Sequence, residues 1–159
     1  VTPYIYVASS WRNAHYPRVV KMLRAVGAGN PDLDEPDFGV HDFRDPAGHF
    51  QWEQIDPAWE TWDTPAYIRS LAHPAADVGY GRDKGGLDRA TACLLVGPCG
   101  RSAHLELGYA IGRGIPTAIC LPQRQEPELM YRMAGSILAS AVEVMAWAGT
   151  VLNPSRVTA

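Results

Sequence analysis

Ala92-Cys93-Leu94-Leu95-Val96-Gly97-Pro98-Cys99-Gly100-Arg101-Ser102-Ala103 carries the reading of the fold. A short, unbroken apolar run closed by Gly-Pro describes a strand buried on both faces, as in a parallel sheet. Gly97 to Arg101 is then a loop, and Ser102 is placed to cap a helix from Ala103 to Arg113 that Gly114 stops. Downstream, Thr117 to Leu121 and Ser136 to Ala139 read as strands, with a helical stretch at Glu128 to Met133 between them. Ser140-Ala141-Val142-Glu143 is a capping box opening a last helix to about Ala148. Upstream, Tyr4 to Ala8 is a first buried strand, and Asn13 can cap a helix running to about Ala28 with Val19, Val20, Leu23 and Val26 on one face. A Gly- and Asp-rich loop from Gly27 to Gly39 leads to a short strand at Val40 to Phe43. Helices are expected from about Pro65 to Ala72 and from about Arg82 to Ala90.

Strands alternating with helices predict a parallel sheet covered on both faces. Five strands in this pattern fit a doubly wound, flavodoxin-like α/β sheet of order 2-1-3-4-5. The 159 residues make one domain's worth of chain, with a Trp-rich insert at about 44–63 that carries Phe50, Trp52, Trp59 and Trp62. So much aromatic surface in an irregular stretch is either a lid over a ligand or a packed subunit contact. In a doubly wound sheet, ligands bind beyond the carboxyl ends of the strands where the strand order reverses. Here those are the loops after the first and third strands, Ser9-Ser10-Trp11-Arg12 and Pro98 to Ser102.

Composition narrows the function classes. A net charge of −3 gives no basic surface for a nucleic-acid polymer or an anionic membrane. No apolar stretch is long enough to span a bilayer and no signal-peptide pattern opens the sequence, so the cytoplasm is the expected compartment. Three cysteines without a CxxC pair do not describe a disulfide framework, and five scattered histidines lack metal-ligand spacing, so no metal is expected. The first loop has no G-x-G-x-x-G and the chain no P-loop, so no dinucleotide or other cofactor is expected.

Glu106 is the residue most suited to chemistry. Near the start of a helix at the switch point, backbone N–H groups and the helix dipole favour its ionised form. A carboxylate held charged beside a pocket is a suitable glycosyl nucleophile, although a plain helix-start acid reads the same way. His104, two residues earlier, lies on a different helix face and suits a solvent or subunit-contact role. Cys99 has no evident paired base.

The run His104-Leu105-Glu106-Leu107-Gly108-Tyr109-Ala110 resembles the ELGYA signature of nucleoside 2-deoxyribosyltransferases and the related 2'-deoxynucleoside 5'-monophosphate N-glycosidases. The resemblance extends to Ile5 to Arg12, to Asp83 to Val96 and to the last strand, leaving out about residues 27 to 80. It implies that Glu106 attacks the anomeric carbon to form a covalent glycosyl-enzyme, in the manner of a retaining glycosidase. It implies that Asp83 helps protonate or hold the departing base, with Asp88 as the competing acid, and that Tyr6 orients the nucleophile. By the residues alone, Asp83 is an ordinary helix N-terminal acid and Tyr6 a core aromatic.

Two branches of the resemblance imply different second steps. Transferases carry a base-binding aspartate six residues before the nucleophile; here that position is Gly100. Ser10 and Arg12 match a Ser-x-Arg arrangement with which the hydrolases hold a 5'-phosphate, and Ser136 matches a serine reaching the phosphate from a neighbouring subunit. Against this, the hydrolases place a serine or similar group at the Gly100 position, and Ser10 can equally serve as a helix cap. With Ser102 and Arg101 nearby, the expected substrate-binding set is Ser10, Arg12, Gly100, Ser102 and Ser136. The expectation is cleavage of a nucleoside 5'-monophosphate resolved by water, in a homodimer or higher even oligomer. A deoxyribosyltransferase and a non-catalytic nucleotide-binding sensor are the alternatives.

Overall fold

The computed structural model describes residues 2–27, 39–44 and 49–152. Its elements are β1 (Tyr4–Ala8), α1 (Tyr16–Gly27), β2 (Gly39–His41), α2 (Thr64–Ser70), α3 (Pro74–Arg89), β3 (Ala92–Val96), α4 (Arg101–Gly112), β4 (Thr117–Cys120), β5 (Ser136–Leu138) and α5 (Ala141–Leu152). Single 3-10 turns stand at Trp52–Gln54 and Trp59–Thr61, and a longer one at Leu129–Met133. The chain divides into two compact units, one of residues 1–42 with 89–159 and one of residues 43–88.

The first unit holds a fully parallel five-stranded sheet in the order β2-β1-β3-β4-β5. This is the doubly wound, flavodoxin-like sheet expected from the alternation of elements. The inner strands are buried on both faces, which is why they read as unbroken apolar runs. Ile5, Val7, Leu94, Leu95, Val96 and Ile119 are fully buried, each stabilising the fold by roughly 1.5–3 kcal/mol. α1 and α5 pack against each other, and α4 packs against β1, β3 and β4. α1 buries Val19, Val20 and Leu23 from its apolar stripe.

The helix ends follow their expected chemistry. Asn13 Oδ1 accepts from the N–H groups of His15 and Tyr16 at 2.8 and 3.3 Å. Before α5, Ser140 Oγ accepts from Glu143 N at 3.3 Å while the Glu143 carboxylate accepts from Ala139 N at 2.9 Å. α4 ends before Gly114, whose φ of +71° is left-handed. Gly114→Ala should cost about 1 kcal/mol in denaturant unfolding; an unchanged midpoint would mean the turn relaxes without glycine.

The 43–88 unit is wider than the aromatic stretch at 44–63. α2 starts at the cap Asp63, whose carboxylate accepts from Ala66 N at 2.8 Å. Trp52 meets Phe50, Trp62 and Tyr67 edge-on, with centroids 4.8, 5.7 and 5.8 Å away. Its rings thus serve one another as a small aromatic core. Trp59 and Trp62 donate their indole N–H groups to Glu53 and Asp56 at 2.8 and 2.7 Å. The Trp62 bond, followed by that from Ala58 N, holds the Asp56 carboxyl below its ordinary range.

One helix is longer than its expected extent. α3 begins at Pro74 rather than near Arg82, with Ala75 N donating to His73 Nδ1 at 3.1 Å ahead of it. Asp83 is therefore in the body of this helix and not at its N-terminus.

Candidate active site

The switch point lies where β1 and β3 run side by side, Ala8 opposite Leu95, with their loops leaving the sheet at the same end. Three side-chain bonds fasten these loops. Ser9 Oγ and Asn13 Nδ2 both donate to the carbonyl of Val96, at 2.7 and 2.9 Å, and Asn13 Nδ2 also donates to Pro98 O at 3.1 Å. Asn13 is 3% exposed, so its amide is buried with both ends satisfied. The sequence suggested its cap to α1; its grip on the β3 loop had no sequence signal. Gly97 N donates to Cys120 O at 2.9 Å, which joins the same loop to β4.

Ser10 and Arg12 stand on the first of these loops. Ser10 Oγ accepts from Arg12 N at 3.2 Å and Ser10 O from Asn13 N at 3.0 Å, so Ser10 shapes the turn while Asn13 caps the helix. The Arg12 side chain is exposed and makes no ion pair among the described residues. On the second loop, Gly100 and not Ser102 is the N-cap of α4, and it offers no side-chain cap. Ser102 falls inside the first turn because the helix starts at Arg101. That shift puts Glu106 in the second turn, so the dipole acts on it less than a first-turn position would give.

Glu106 is half-buried, and its charge is felt by two thiols. Burial, then the Glu106 carboxylate, pushes the Cys93 thiol up to about 12. The same two causes in the same order push Cys99 up to about 11. Glu106 is in the second turn of α4, which begins at the loop after β3 and packs on β1, β3 and β4. Tyr6 is the register partner of Cys93, and paired residues of neighbouring strands point to one face of the sheet. Tyr6 is fully buried and stacks on His41 with centroids 4.7 Å apart and planes 11° apart. His41 Nδ1 lies 3.1 Å from Tyr4 Oη, which accepts from Arg89 Nη2 at 2.6 Å.

His104 has a role in pinning the loop. Its Nδ1 lies 2.7 Å from Gly100 O and its Nε2 2.9 Å from Tyr131 Oη, with the two rings stacked. A carbonyl only accepts, so Nδ1 carries a proton and donates it to Gly100 O. Cys99 Sγ is 4.0 Å from the same Nδ1, but that N–H is directed at Gly100. With its thiol held protonated at neutral pH and no base turned toward it, Cys99 is not built as a nucleophile.

Asp83 is carried half-buried on α3 in the 43–88 unit, while Asp88 on that helix pairs with Lys84 at 2.6 Å. Ser136 opens β5 opposite Ala118, at the amino end of its strand, so within its own chain it is not with the switch-point loops. Among the described residues no helix is long and apolar enough to cross a membrane, and no three His, Cys, Asp or Glu side chains are grouped to hold a metal ion.

Neither a family model nor a curated protein matches the sequence. Among solved structures, the chain is similar to a 2-deoxyribosyltransferase from the psychrotolerant bacterium Bacillus psychrosaccharolyticus, with a TM-score of 0.54, 17% sequence identity and 89% of each chain covered. The two chains share a fold. The resemblance drawn from the His104 to Ala110 run thus holds at the level of architecture, and the activity has to be argued from the site.

Proposed function

We propose that this protein cleaves the N-glycosidic bond of a nucleoside 5'-monophosphate, with Glu106 as nucleophile. The observation that carries the reading is the position of Glu106: a half-buried carboxylate in the second turn of α4, the helix that leaves the loop after β3 and packs on β1, β3 and β4. A shared fold with a 2-deoxyribosyltransferase supports chemistry at the anomeric carbon. In the first step a Glu106 oxygen bonds to C1', the C1'–N bond breaks with its electron pair going to the base, and Asp83 supplies the base's proton. In the second, water attacks C1', the glycosyl–glutamate ester bond breaks, and the water proton returns to Asp83. Tyr6 keeps the Glu106 carboxylate aligned for the attack.

A phosphate substrate is favoured by the loops. Arg12 is an exposed guanidinium beside a turn held by Ser10, and the first-turn N–H groups of α4 lack a side-chain cap at Gly100. Ser102 in that turn adds a hydroxyl. In this reading Ser136 reaches the phosphate of a neighbouring subunit in a homodimer or larger even oligomer.

Incubating the protein with 2'-deoxynucleoside 5'-monophosphates and with the matching nucleosides, each with and without a second free base, tests the reading. Sugar 5-phosphate and free base are the expected products, and Arg12→Ala should raise KM for nucleotides about tenfold with little change for nucleosides. New nucleosides appearing with the added base would replace the hydrolase by a transferase. Binding without turnover across the panel would leave a nucleotide sensor.

A further inference from the structure

The loop after β4 places one amide beside Gly97, just past the carboxyl end of β3. An alanine Cβ at Gly97 would stand 2.5 Å from Gln125 Nε2, 2.8 Å from its Oε1 and 3.0 Å from its Cδ. The Gln125 amide therefore fills the space that Gly97 leaves open. Gly97 continues the β3 ladder through its bond to Cys120 O and is an even number of residues from Cys93, so this space is on the Cys93 and Tyr6 face of the sheet. Glu106 acts on Cys93 and Cys99, on either side of Gly97 in the chain.

Gln125 Nε2 is buried and has no hydrogen-bond partner among the described residues. Buried amide donors in native structures are paired, and an exception beside a ligand crevice points to the ligand as its partner. Gly100, at the position where the transferases carry a base-binding aspartate, has nothing within 4 Å of where its side chain would be. The polar edge of a base thus has no partner from that position.

We propose that Gln125 reads the base: its carboxamide, one donor and one acceptor side by side, pairs with the carbonyl and N–H edge of a purine or pyrimidine, while Gly97 leaves the room in which the amide stands. This rests on the nucleotide-cleaving reading of the site. Gln125 touches the base and neither the sugar nor the phosphate, so it sets which nucleotide is taken and leaves bond cleavage to Glu106.

The test uses Gln125→Leu, Gln125→Glu and Gly97→Ala in the full chain, with nucleoside monophosphates that differ only in the base. In each variant KM for the preferred nucleotide should rise about tenfold, kcat should change by less than about threefold, and the ranking of bases should flatten. Inhibition by 2-deoxyribose 5-phosphate should stay as in wild type. Unchanged KM and base ranking in both Gln125 variants would overturn the assignment, as would weakened sugar phosphate inhibition with the ranking intact. If the wild type cleaves no nucleotide, the cleavage reading fails by itself. Calorimetry of free bases with wild type and Gln125→Leu then still decides: weaker binding by the variant supports the base-reading role, and equal affinity overturns it.

Discussion

Glu106→Gln should lower the rate of glycosidic cleavage on the order of 10⁴-fold while leaving the far-UV spectrum and the unfolding midpoint close to wild type. The amide keeps the shape of the side chain and removes the anionic oxygen that, in the proposed reaction, bonds to C1'. A second readout follows from the thiols. The Glu106 charge is the second cause, after burial, of the elevation of Cys99 to about 11. A nearby negative charge disfavours the thiolate and raises a thiol pKa, so neutralising it moves the Cys99 titration down toward ordinary thiol values. The pH dependence of Cys99 alkylation measures this in wild type and variant. Cleavage surviving in the variant removes Glu106 as nucleophile. An unmoved Cys99 titration removes the placement of its carboxylate near that thiol.

Asn13→Ala is expected to destabilise the protein by about 3 kcal/mol in urea unfolding and to lower activity with it. The substitution removes the Asn13 acceptor from the N–H groups of His15 and Tyr16 and the Asn13 donor from the carbonyls of Val96 and Pro98. Asn13→Asp separates the two halves of the role. Its carboxylate still caps α1 but turns an oxygen toward the carbonyls of Val96 and Pro98, so it should be at least as unstable as Asn13→Ala. Both variants unfolding within about 0.5 kcal/mol of wild type would mean the loops are held together by something else.

The places where sequence reading fell short have physical causes. The start of α3 was hidden because Pro74 to Arg89 contains Gly79, Gly81, Gly85 and Gly86, a composition that disfavours helix by about 1 kcal/mol per glycine. Contacts made by the folded unit explain part of that composition. A Cβ on Gly79 would stand 2.5 Å from Phe50 Cβ, so glycine is what lets the helix approach the aromatic cluster. Ser102 has the chemistry of a cap, yet Gly100 takes that position because α4 begins one residue before Ser102. Tyr6 is the fully buried strand aromatic that its place in an apolar run suggests.

By itself the sequence determined the parallel sheet of order 2-1-3-4-5, the cap at Asn13, the stop at Gly114 and the box at Ser140 to Glu143. The strands and caps depend on residues close together in the chain, where apolar runs and capping side chains leave a local pattern, and the sheet order follows from the alternation of strands with helices. Only the tertiary structure decided that Asn13 grips Val96 and Pro98, that His104 joins Gly100 to Tyr131, and that the Gln125 amide fills the space over Gly97. Each of these pairs polar groups from different loops. Whether a polar side chain is buried against a distant backbone group is set by where the sheet brings those loops, and no spacing along the chain records it.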